Sequence, residues 1–207
     1  MKVKICGIQT IEAALHATKE GADAIGFVFA PSKRKITPEK AKHIIQTLPE
    51  DIWKVGVFVD ETPETIAEIV EFTGLTHIQL HGEEEPDLYW THDRALIKSV
   101  SVRTIEDIQK IKNIQTVDYI LLDSPPGLYK GGTGKSFDWD LASGLGVKDK
   151  IILAGGLNPQ NVKKAIQAVQ PIMVDVSSGV ETNGEKDFEK ISAFISEAKQ
   201  TREDENK

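Results

Sequence analysis

Cysteine is almost absent: Cys6 is the only one in 207 residues. That excludes an internal disulfide and a zinc site built on cysteine. The five histidines form no HExxH pattern, so that metal motif is missing too. No apolar run approaches the roughly 20 residues that a membrane span needs. The opening Met1–Cys6 stretch is too short and too polar for a signal peptide. A cytoplasmic location, with no membrane partner, is the expectation. Basic excess is also lacking. With a net charge of -7, no broad nucleic-acid surface is expected, although a few local cations could still hold a small anion.

Nucleotide signatures are missing as well. Gly131-Gly-Thr-Gly134-Lys135-Ser136 imitates a P-loop, but that motif needs glycine five positions before Gly134, where Tyr129 stands. No GxGxxG follows an apolar run. NAD and ATP have no support, and no cofactor is expected.

What is present is a repeating alternation. Short β-rich apolar runs occur at Val3–Cys6, Ala24–Phe29, Lys54–Val59, His77–Leu80, Leu96–Val100, Tyr119–Asp123, Ile151–Ala154 and Ile172–Val176. They lack strict apolar/polar alternation, as suits strands of a parallel sheet buried on both faces. Helical stretches separate them. Thr10 and Thr104 start two. Thr37-Pro38-Glu39, Thr62-Pro63-Glu64 and Asn158-Pro159 each read as an N-cap followed by proline at the first helical position. Glu84–Trp90 supports only one or two turns, and a final helix is expected over Asp187–Lys199. Eight such units predict a single (β/α)8 TIM barrel over residues 1–200, with a frayed polar tail at 201–207. An open doubly wound sheet uses the same units, but eight of them favour closure.

Polar residues at run ends mark the candidate site. Cys6, Asp123 and Asp175 end or interrupt apolar runs. Cys6 reads either as a small buried apolar residue or as a thiol used for chemistry. Gly155-Gly156 follows the seventh run, and Ser177-Ser178-Gly179 follows the eighth. In a barrel those two loops often hold phosphate through backbone N–H groups, against a short extra helix. Ser124–Phe137, long and rich in Gly and Pro, reads as an active-face loop or a passive surface loop.

These stretches resemble phosphoribosylanthranilate isomerases. The resemblance rests on Lys4-Ile-Cys-Gly7, Gly21 to Phe29, Ser32-Lys-Arg34, Gln79-Leu-His-Gly82, Leu122-Asp123, Gly131 to Gly134, Ala154-Gly-Gly-Leu157 and Asp175 to Glu181, in family order. It implies a (β/α)8 barrel acting on a small phosphosugar–anthranilate substrate by Amadori rearrangement, without a metal. By motif position Asp123 is similar to the family's general acid, Cys6 to its base, and Arg34 to the residue that holds the anthranilate carboxylate. His81 reads as a structural histidine or a pocket wall. Asp175 reads as a ligand for a sugar hydroxyl or as part of a structural network.

The acid–base pair carries a physical difficulty. With ordinary values of about 3.9 for Asp and 8.5 for Cys, protonated Asp and thiolate coexist near pH 7.5 in on the order of one molecule in 10⁵. That handicap is about 6 to 7 kcal/mol. The expectation is therefore a raised Asp123 and a lowered Cys6, the latter through helix N-termini and cations such as Lys4 or Arg34.

Two other phosphosugar barrels compete. A ribulose-phosphate epimerase relies on paired Asp and metal-binding His. A histidine-pathway isomerase carries Asp where Cys6 lies and has a second phosphate loop. The Cys6/Asp123 pair argues against the first, and the sequence shows no matching first-half phosphate loop for the second. A non-catalytic phosphoribosyl binder is the reading from another class, and intact Cys6, Asp123 and Arg34 oppose it. With no exposed apolar stripe in the pattern, a monomer is expected, and a homodimer stays open.

Overall fold

The computed structural model describes residues 1–89, 94–111, 114, 116–123, 139 and 148–204; for residues 105, 110 and 201–204 only the backbone is described. Eight parallel strands close into a barrel in sequence order: β1 (Lys2–Cys6), β2 (Ala24–Val28), β3 (Trp53–Phe58), β4 (His77–Leu80), β5 (Ala95–Ser101), β6 (Tyr119–Asp123), β7 (Ile151–Leu153) and β8 (Met173–Val176). β1 pairs with both β2 and β8, which closes the ring; the seam register sets Lys4 opposite Asp175 and, on the other side, Cys6 opposite Gly26.

The helices are α1 (Ile11–Lys19), α2 (Pro38–Ile45), α3 (Pro63–Thr73), α4 (Ile105–Ile111), α5 (Val162–Val169) and α6 (Phe188–Asp204). Three of the threonine signals act as caps. Thr10, Thr37 and Thr62 accept from the backbone N–H of Ala13, Lys40 and Thr65. Each such cap is worth about 1 kcal/mol. Asn158-Pro159 does not start α5, which begins at Val162. Asn158 instead folds a turn on itself: its Oδ1 accepts from Gln160 N–H, and its N–H donates to Asn161 Oδ1. Between β4 and β5 the described residues hold only a 3₁₀ turn, Pro86–Leu88. α6 continues to Asp204, past its expected end at Lys199. A hairpin absent from the sequence reading, β9 (Glu181–Thr182) and β10 (Glu185–Lys186), turns through Asn183 and Gly184, both at positive φ.

Alternation along the strands sorts two cores. Val3, Ile5, Ile25, Phe27, Ile78, Leu80, Ile120, Leu122, Val174 and Val176 belong to the layer packed against the helices. Ala24, Val55, Ile97, Leu121, Ile152 and Met173 fill the barrel interior. An aromatic floor closes the interior at the strands' N-terminal ends, where Trp53 stacks on His77 at 4.1 Å and lies 5.0 Å from Tyr119. Burial holds the His77 pKa down at about 4, so this ring is neutral at pH 7. Among the described residues no helix is long and apolar enough to cross a membrane.

Candidate active site

Above that floor, the interior opens at the strands' C-terminal ends. A cavity of about 360 Å³ lies there, lined by Cys6, Arg34, His81, Asp123, Gly155, Gly156, Asp175, Ser177 and Ser178, together with Gln79 and Ser32. Nine of the ten residues singled out in the sequence thus meet in one place. Gly179, the tenth, does not line the cavity. A Cβ there would lie 1.9 Å from the Leu157 carbonyl oxygen, so glycine lets the loops after β7 and β8 touch. The 124–137 loop, with Gly131–Gly134, lies outside the described residues.

The thiol sits in a charged interior. Lys4 is fully buried and donates from Nζ to Asp175 Oδ2 at 3.0 Å. A Cβ on Gly26 would lie 2.7 Å from Cys6 Sγ and 3.2 Å from Lys4 Cε, so glycine there makes room for both side chains. Burial pulls the Lys4 pKa down, but Asp175 and Cys6 outweigh it, and the ammonium is held above its ordinary value. The expected lowering of Cys6 is not found. Burial pushes the thiol up; Lys4 and then Lys186 oppose this, and Asp175 adds to it. The reason is physical: a thiolate sealed in the barrel loses its water, and Asp175 offsets part of the cation that would replace it. Lys186 was not anticipated, and Lys4 points into the barrel as expected of a cation acting on the thiol.

Asp175 has a second oxygen, Oδ1, that is buried without a hydrogen-bond partner among the described residues. A buried carboxylate oxygen left bare is costly, and a ligand donor would satisfy it. Across the cavity His81 Nε2 lies 3.4 Å from Asp123 Oδ2, and His81 Nδ1 lies 3.1 Å from Gln79 Nε2. If the amide nitrogen donates there, the neutral ring carries its proton on Nε2, toward Asp123. Gln79 was read only as part of a family motif, not as a site residue, because it sits within an apolar run.

Arg34, on the loop after β2, is gripped at two points by Glu181: Nε–Oε1 is 2.5 Å and Nη2–Oε2 is 2.8 Å. Hydrogen bonding to Glu181 raises the arginine further above its ordinary value. Burial pushes Glu181 up, yet Arg34 and Lys186 win and hold it at about 2. Burial lowers Lys186 despite its bond to Glu181.

The two glycine loops form the remaining wall. Gly155 and Gly156 adopt φ of 84° and 70°, which non-glycine residues rarely enter. A 3₁₀ turn, Ser178–Val180, follows Ser177. The N–H groups of Gly155, Gly156, Ser178 and Gly179 have no acceptor among the described residues. The Ser177 hydroxyl donates to the Cys6 carbonyl at 3.1 Å.

Residues 3–197 match the family model described as N-(5'-phosphoribosyl)anthranilate (PRA) isomerase. The chain belongs to the phosphoribosylanthranilate isomerase family. An N-(5'-phosphoribosyl)anthranilate isomerase of Bacillus mycoides (strain KBAB4) is 53% identical over 202 residues, covering 97% of this chain and 98% of that one. A solved structure of a phosphoribosyl anthranilate isomerase in complex with reduced 1-(o-carboxyphenylamino)-1-deoxyribulose 5-phosphate superposes with a TM-score of 0.85. It is 43% identical and covers 97% of this chain and 99% of that one. A Thermotoga maritima structure, described as mutually generated monomers of the dimeric isomerase, gives the same TM-score at 42% identity over the same shares. The family's fold is the closed barrel seen here.

Proposed function

We propose that Cys6 is the general base and Asp123 the general acid of the isomerisation. The family's reaction converts N-(5-phosphoribosyl)anthranilate to 1-(2-carboxyphenylamino)-1-deoxyribulose 5-phosphate, a step of tryptophan biosynthesis. Asp123 protonates the furanose ring oxygen as the C1–O bond breaks, and the nitrogen lone pair forms the iminium. The Cys6 thiolate then removes the C2 proton. The C–H electrons form the C1=C2 bond and neutralise nitrogen, and the enolamine tautomerises to the ketone. Hydrogen moves within one molecule, so no external oxidant is consumed.

The observation that carries this reading is the sharing of one cavity by Cys6 and Asp123 at strand ends, beneath two glycine loops with open N–H groups. Those N–H groups, from Gly155, Gly156, Ser178 and Gly179, suit a phosphate, and the Ser177 N–H joins them. The bare Asp175 Oδ1 suits a sugar hydroxyl. Arg34 suits the anthranilate carboxylate, and His81 stands as a wall of the pocket beside Asp123. Loss of anthranilate-substrate fluorescence tests the assignment. Cys6→Ser and Asp123→Asn should each lower kcat by at least a hundredfold; near-normal turnover in either removes that residue from the chemistry.

We read the working form as a monomer in the cytoplasm. The large apolar side chains Leu15, Val59, Phe72, Leu88 and Phe188 are exposed on different elements, which supports the monomer. A phosphorylated, carboxylated substrate does not cross a membrane unaided, which supports the compartment. Sedimentation and cell fractionation test the two readings.

A further inference from the structure

Arg34 lines the cavity, but Glu181 does not. The acid sits behind the guanidinium, with its side chain 5% exposed against 20% for Arg34. A guanidinium offers five N–H donors in a planar fork. Glu181 takes the Nε edge and one Nη2 contact, which leaves Nη1 and the rest of Nη2 for another acceptor. The stem is fixed as well. Gly7, at φ +76°, has Arg34 Cδ where a Cβ would sit, at 2.5 Å.

Glu181 is itself held. Lys186 Nζ donates to Oε1 at 2.9 Å, and Lys33 Nζ lies 3.5 Å from Oε2. Lys186 also donates to the Ser177 carbonyl at 2.9 Å, and Ser177 bonds the Cys6 carbonyl. Two cations beside Arg34 restore the positive charge that Glu181 removes. The cluster still attracts an anion, while the arginine no longer wanders among its rotamers.

We infer that Glu181, backed by Lys186, is a positioning residue that aims Arg34 at the aromatic carboxylate of the substrate and so sets specificity for that end. The inference rests on the reading of Arg34 given above. A free arginine must be ordered when the ligand arrives, and a held one has been ordered by folding.

The test compares Glu181→Ala with Glu181→Gln. Both lose one negative charge, but glutamine keeps an acceptor for Nε. Binding is measured for reduced 1-(o-carboxyphenylamino)-1-deoxyribulose 5-phosphate and for its analogue lacking the ring carboxylate. The ratio of the two affinities reports the carboxylate alone, which a general loss of structure would not change selectively. Glu181→Ala should cut that ratio about tenfold and raise KM with kcat within about twofold, and Glu181→Gln should recover part of it. A ratio unchanged or raised in Glu181→Ala overturns the inference, because Glu181 would then be neutral or a competitor. Arg34→Ala separates the two layers. If it abolishes the preference while Glu181→Ala does not alter it, only the positioning role falls. If Arg34→Ala leaves the preference intact, the reading of Arg34 falls first. Should Glu181→Ala not fold, Glu181→Gln against the unmodified protein decides: a reduced ratio supports the inference and an equal or larger one overturns it.

Discussion

Replacing Lys4 by methionine should quiet the thiol of Cys6. Lys4 and Cys6 lie on the same face of β1, and their side chains meet at hydrogen-bonding range in the barrel interior. Unit charges about 4 Å apart interact by about 4 kcal/mol at an effective dielectric constant of about 20. That amounts to at most on the order of 1,000-fold in thiolate population. The sign follows from the chemistry: only the deprotonated thiol is charged, so removing a cation moves its titration to higher pH. Asp175→Asn should do the opposite, since the Asp175 carboxylate opposes ionisation. Lys186 and Arg34 also act on the thiol, from β10 and from the loop after β2, and they are unchanged in both variants. Alkylation by iodoacetamide across pH reads this directly, because every reacting thiol is Cys6. Lys4→Met alone strands a buried carboxylate and should cost about 3 to 5 kcal/mol of stability. The double variant Lys4→Met/Asp175→Asn removes both charges and should return the alkylation rate toward the original. Equal alkylation in Lys4→Met and the unmodified protein, or shifts of the same sign in both single variants, would refute the reasoning.

Acid should weaken the fold in two windows. His77, at about 4 when folded against an ordinary 6.5, contributes stability that is lost as pH falls from 6.5 to 4, about 3 kcal/mol at most. Glu181, held at about 2, contributes above its ordinary 4.5 and loses that contribution between 4.5 and 2, again about 3 kcal/mol at most. Urea unfolding at stepped pH checks both, and His77→Phe should flatten only the upper window. Gly179→Ala drives a Cβ into the Leu157 carbonyl and should raise KM at least tenfold while weakening competitive inhibition by inorganic phosphate; unchanged inhibition would separate that loop from the phosphate. Gly26→Ala pushes on Cys6 Sγ and should lower kcat more than it changes KM, as steady-state kinetics would show.

The barrel was legible because its signals are local. Thr37-Pro38 and Thr62-Pro63 start α2 and α3 where they stand, and the apolar runs locate all eight strands. Asn158-Pro159 misled because Asn158 satisfied its own turn before any helix began. Asn183-Gly184 is a known hairpin signal, but its flanking strands of two residues each show no periodicity. Eight of the nine site residues sat in or directly beyond the apolar runs, where position marked them, whereas Arg34, on the loop after β2, was marked only by the family motif. Glu181 and Lys186 carried no such mark, since Glu181 meets Arg34 across 147 positions of sequence. The direction of the Cys6 shift was equally out of reach. It depends on how completely the closed ring excludes water, which no single strand announces.

The Lys4–Asp175 bond joins the barrel's first strand to its eighth, across 171 positions. Were the chain to zip its ends together one residue out of step, an ammonium would be trapped in hydrocarbon with nothing to answer it. The same two side chains that surround the reactive sulfur therefore act as a checkpoint on assembly, and a misaligned ring is expelled by its own stranded charge.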